Sequence, residues 1–126
     1  MGTSSMIGHW DKGTGKVIAS YCHFDGYVEG VGAMLVNSYN TELGAQKVAY
    51  GGYLSSLKED YKLSRENAVH NDRPETFASV EEYLTEAPAG CGAAYLYLWD
   101  GEAWFYAPRN GTFEEVEMNL NIEGTK

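Results

Sequence analysis

Cysteine is scarce in this chain: Cys22 and Cys91 are the only two in 126 residues. Two thiols outside any CxxC pair are too few for a disulfide scaffold or an all-cysteine zinc site, so a reducing setting is the simplest reading. Basic residues are also short, 9 against 18 acidic, for a formal net charge of −9. That balance repels phosphate, and it argues against direct nucleic-acid binding and against adhesion to an anionic membrane. No uninterrupted apolar run approaches the roughly 18 to 20 residues that span a bilayer. The start, Met1 to Met6, lacks the basic lead and apolar stretch of a signal peptide, and Met6 stands where a myristoylation motif wants Ser or Thr. The expectation is a soluble intracellular protein, in which the sequon Asn110-Gly111-Thr112 is only a turn.

What is present points to a folded domain. A 44% hydrophobic and 13% aromatic composition can bury enough apolar surface to offset ordering entropy. At this length one domain over 1–126 is expected, with no repeat, low-complexity tract or linker. Ser5 to Trp10 and Lys16 to Phe24 flank Asp11-Lys12-Gly13-Thr14-Gly15, which predicts a hairpin. Alternation puts Ile18, Ser20, Cys22 and Phe24 on one face of its second strand. A helix follows near Val31 to Tyr39, and a second starts at an Asn40 or Thr41 cap and stops at Gly51-Gly52. Lys58 to Pro74 shows no sustained period and reads as loop. Ser79 with Glu82 three residues on is a capping box, opening a helix that should stop before Pro88.

The C-terminal hairpin is the plainest signal. Residues 94–99 and 103–106 alternate around Asp100-Gly101, which suits a two-residue turn. That register sets Trp99 opposite Glu102, Tyr97 opposite Trp104 and Tyr95 opposite Tyr106, giving an aromatic wall, with Leu96, Leu98, Ala103 and Phe105 behind it. Thr112 to Ile122 alternates weakly, as a final strand would. Together these predict an α+β fold: a two-layer domain with a mostly antiparallel sheet of four or five strands and two or three helices on one face.

Several clusters could carry chemistry. Cys22 and His23 adjoin, but strand neighbours point to opposite faces, so a thiol–imidazole pair is not expected and Cys22 reads as a small buried hydrophobe. His23 and Asp25 share a face and should hydrogen-bond at the strand end. His23, Asp25, His70 and Asp72 form two H-x-D pairs, but the spacing matches no strong ligand signature, and neither metal nor cofactor is expected. Gly26, Gly30 and Gly32 lack the Lys and Ser/Thr of a phosphate loop, and Asp25 and Glu29 would repel phosphate. Charge is uneven: residues 1–63 hold six acids and five bases, residues 64–126 twelve acids and four bases. Glu81, Glu82 and Glu86, with Glu114, Glu115 and Glu117, make the second half a candidate docking surface for a basic partner.

The stretches Ser5-Met6-Ile7-Gly8, YCHFDGYVEGVG from Tyr21 to Gly32, SYNTE from Ser38, GGYLSSL from Gly51 and YLYLWDGEAWFY from Tyr95 to Tyr106 resemble a family of small uncharacterised proteins encoded by bacteriophages and prophages. The CHxDGY block and the WDGxxW-type hairpin are the most specific parts, and His70-Asn71-Asp72-Arg73 fits the family's middle loop. The resemblance implies a non-structural accessory protein working in the host cytoplasm. It carries over no activity and no catalytic residue.

The combined expectation is a binding protein rather than an enzyme, one that engages a host protein of defence or macromolecular synthesis and inhibits or redirects it. The alternative is a nucleotide or other small-molecule binder, or a small hydrolase, in which Tyr97, Trp104 and Arg109 hold the ligand and His23 and Asp25 work at the loop. Exposed aromatic strands could also pair two copies as a homodimer.

Overall fold

A computed structural model of the protein describes residues 3–66, 73–108 and 113–115. His70, Asp72, Arg109, the Asn110 sequon and Glu117 lie outside them. The first hairpin forms as expected, with β1 (Ser5–Asp11) antiparallel to β2 (Lys16–Cys22) from Asp11↔Lys16 to Ser5↔Cys22. Its loop closes because Gly15 takes a positive φ of 81° and donates to the Asp11 carbonyl at 2.7 Å. A π-helical turn at Val28–Gly32 leads into α1 (Ala33–Ser38), and α2 (Glu42–Tyr50) follows. Thr41 is the cap of α2, its hydroxyl accepting from the Gly44 N–H at 3.0 Å.

Beyond α2 come α3 (Tyr61–Glu66), β3 (Glu75–Phe77), α4 (Val80–Cys91), β4 (Tyr95–Trp99), β5 (Trp104–Pro108) and the two-residue β6 (Glu114–Glu115). The sheet order is β3-β2-β1-β4-β5-β6. Among the described strands only β1 and β4 pair in parallel, from Ser5↔Tyr95 to His9↔Trp99, while the other strand pairs are antiparallel and a single parallel bridge joins Cys22 to Leu54. The domain is α+β with a mostly antiparallel sheet.

Helices cover both faces of that sheet, not one. On the first face Val31, Leu35, Tyr39, Val48 and Leu54 pack over Ile7, Cys22, Tyr97, Trp99 and Trp104. On the second, Tyr83 and Ala87 of α4 pack over Met6, Val17, Ala19, Leu96 and Leu98. The cause is in the central strands. With Tyr97 and Trp99 on one side and Leu96 and Leu98 on the other, β4 is apolar on both faces and stable only when both are covered. Gly8 lets α4 approach, since a Cβ there would lie 3.0 Å from Val17 and 3.1 Å from the Tyr83 ring.

Three local expectations need correction. The stretch expected to be loop contains α3, and β3 was not anticipated; both are too short to show a period. Helix α4 passes through Pro88, whose missing N–H removes only one late bond, and stops at Gly92 in the left-handed region with φ 73°. The C-terminal hairpin has a four-residue loop, so Trp99 faces Trp104, Tyr97 faces Tyr106 and Tyr95 faces Pro108. Asp100 causes the shift: its carboxylate accepts from the N–H groups of Glu102 and Ala103, both at 2.9 Å, and draws two more residues into the turn. A slip of two residues keeps every side chain on its expected face.

Candidate functional site

Tyr97, Trp99 and Trp104 of the aromatic wall are core, with Tyr95 and Tyr106 partly buried against them. Tyr97 and Trp104 are 0% and 1% exposed, with the Tyr97 hydroxyl donating to the Gly26 carbonyl at 2.7 Å and the Trp104 indole to Tyr39 O at 3.1 Å. Helix α1 and the π-helical turn take the place a stacked ligand would need. The small-molecule site expected from these rings is therefore not assembled: Tyr97 reaches the 23–29 loop only from beneath, as a buried post, and Arg109 lies outside the described residues.

At that loop the sequence neighbours part company. Cys22 is buried, and burial pushes its thiol up to about 12, so it stays protonated and inert at neutral pH. His23 and Asp25 stand exposed but do not bond to each other as expected. The His23 Nδ1 lies 3.2 Å from the Tyr21 hydroxyl, while the Tyr27 hydroxyl donates to Asp25 Oδ1 at 3.3 Å. Asp25 turns into the left-handed region, φ 60°, which breaks the strand alternation that would have aligned the two. Among the described residues no three His, Cys, Asp or Glu side chains are grouped to hold a metal ion.

Of the expected acidic surface, Glu81, Glu82 and Glu86 are exposed on α4, and the backbone of Glu114 and Glu115 forms the sheet's last strand. Glu82 has a structural duty: its carboxylate accepts from Ala78 N at 2.7 Å while its own N–H donates to Ser79 Oγ at 3.0 Å. Glu81 and Glu86 have no such duty. No basic residue occurs in α4, and no ion pair joins these glutamates to another described residue.

Sequence reasoning missed a polar cluster in which a buried His9 meets a half-exposed Glu42. His9 Nε2 lies 2.5 Å from Glu42 Oε2; the Trp99 indole donates to Glu42 Oε1 at 2.8 Å, and the Gln46 amide donates to Oε2 at 2.7 Å. The Tyr50 hydroxyl sits 3.3 Å from His9 Nδ1, its ring edge-on to the imidazole. Hydrogen bonds from His9, then Trp99, hold the Glu42 carboxyl below the usual range against the opposing effect of desolvation. Because His9 is 5% exposed and both its nitrogens are engaged, the cluster ties α2 to the parallel strand pair and offers no free base. The only sequence signal was a polar His9 on the same face as buried Ile7. Nearby, a cleft of about 470 Å³ opens between α2 and residues 59–61, lined by Thr41, Lys47, Glu59 and Asp60 among others.

Among the described residues no helix is long and apolar enough to cross a membrane. No family model, no curated protein and no solved structure matches the chain.

Proposed function

We propose that this chain is a phage-encoded accessory binding protein that engages a basic surface on a host protein in the host cytoplasm and inhibits or redirects it. One observation supports this reading most directly: α4 turns Glu81, Glu82 and Glu86 outward with no base on the helix and no described ion pair to neutralise them. The phage setting comes from the sequence resemblance, and the net charge of −9 adds a long-range field that steers a basic partner. Burial of Tyr97, Trp104 and Cys22 removes the rings and the thiol that a small-molecule site would use, which favours the reading through surface charge.

The test is Glu81→Lys with Glu86→Lys, which leaves the capping residue Glu82 in place. With a partner captured from host lysate, the association rate is expected to drop about tenfold at low salt, and the wild-type rate to fall as salt screens charge over about 8 to 10 Å. Equal rates for wild type and variant, with no salt dependence, would make α4 ordinary solvated surface and defeat the reading.

A further inference from the structure

The 23–29 loop is built as a rigid support. The N–H groups of His23 and Phe24 donate to Leu54 and Ser55 carbonyls at 3.0 and 2.9 Å, Gly26 N–H to Thr3 O at 2.7 Å, and Val31 N–H to Asp25 O at 2.8 Å. Tyr97 pins the Gly26 carbonyl from within the core. Any Cβ at Gly26 would come 2.7 Å from the carbonyl oxygens of Thr3 and Ser4, and one at Gly30 would come 2.3 Å from that of Asp25. The backbone therefore has one path.

That support holds out an unusual combination. Phe24 and Tyr27 are 43% and 40% exposed, large aromatic area turned to water on a loop whose glycines and buried anchor fix it in place. Behind Phe24, the rings of His23, Tyr21 and Tyr53 continue in contact at centroid distances of 4.5, 6.0 and 5.7 Å, so its position is backed by a ladder. Asp25 and Glu29 are exposed on the same loop, and their charge is felt at Tyr27, whose phenol is pushed up by Asp25 first and by Glu29 in lesser measure. No described base forms an ion pair with either carboxylate. A purely apolar partner would bury two unpaired charges here, and a phosphate would be repelled. A guanidinium suits both features, stacking on ring faces while it pairs with carboxylates.

We propose that the 23–29 loop is a preformed clasp for arginine side chains of a basic partner, with Phe24 and Tyr27 supplying the ring faces and Asp25 and Glu29 the carboxylates. This rests on the reading of a basic partner and deepens it by placing the contact core at this loop, with α4 acting at a distance. Because the loop is already in its bound shape, little ordering cost opposes binding.

The probe is a tetra-arginine peptide, titrated into the full chain and followed by amide NMR shifts, with tetra-lysine beside it. Shifts centred on residues 23–29 and tighter binding of tetra-arginine are expected. Phe24→Ala with Tyr27→Ala should weaken it about five- to twentyfold. Should that pair of changes unfold the loop, Asp25→Asn with Glu29→Gln carries the test, since Asn tolerates the left-handed backbone. The same weakening is expected there. Shifts confined to α4, or an affinity unchanged in both variants, overturn the clasp. Those outcomes leave the basic-partner reading standing, because its failure is read separately, in partner association that ignores salt and charge reversal on α4.

Discussion

Glu42 is where three distant segments meet. Its carboxylate binds His9 from β1, Trp99 from β4 and Gln46 one turn along α2. Since the folded carboxyl is held below its unfolded value, the stability it contributes is present above the ordinary glutamate range, about pH 4.3, and is lost as pH falls through the lowered value. Glu42→Gln keeps the shape but cannot ionise. The variant is expected to be less stable at about pH 5, and the gap to wild type in urea midpoint should shrink towards about pH 3. A gap that holds constant across that range would show that the carboxyl is not held down. Little of this was readable beforehand, because Glu42 lies 33 residues from His9 and 57 from Trp99. Each looked ordinary alone: a glutamate in a first helical turn, a histidine and a tryptophan in strands.

Elements were legible where a local rule set them. The first hairpin and the Ser79 cap form where alternation and capping chemistry place them, Thr41 is the one of the two candidate caps that α2 uses, and the C-terminal hairpin forms with its register moved by two residues. The Asp100 turn shows the limit of such reading. Its glycine does take a positive φ, 105°, as a tight hairpin turn would require, yet the aspartate side chain bonds two further N–H groups and widens the loop. Turn chemistry within one residue thus outweighed the dipeptide rule. Ser79 offers a clean test of the capping argument, being half-buried and bonded to Glu82 N at 3.0 Å. Ser79→Ala should cost about 0.5 to 2 kcal/mol in chemical denaturation, with the slope unchanged. A loss well below that would mean that packing of Tyr83 and Ala87 alone fixes where α4 begins.

At the scale of the whole molecule, the least legible feature was the arrangement of the layers. The β1–β4 pairing joins residues such as Ser5 and Tyr95 in parallel, and no local pattern announces a contact across so long a stretch of chain. With β1 and β4 side by side in the middle of the sheet, both faces of its centre had to be covered, and the aromatic wall passed from candidate surface to core. Apolar burial on two faces is therefore what holds the fold, and charge works against it. Eighteen acids against nine bases repel one another more in the compact state than in an expanded chain. Among the described residues no Lys or Arg forms an ion pair that would offset it. Salt should consequently stabilise this protein. Raising sodium chloride from about 10 to 200 mM at neutral pH is expected to lift the melting temperature by roughly 2 to 5 °C, with choline chloride doing the same because screening does not depend on which cation is present. The effect should be smaller in Glu81→Lys with Glu86→Lys, whose net charge is −5 in place of −9. A melting temperature that falls with salt would mean that attraction between charges outweighs repulsion, and the acidic half would then be part of what holds the fold together.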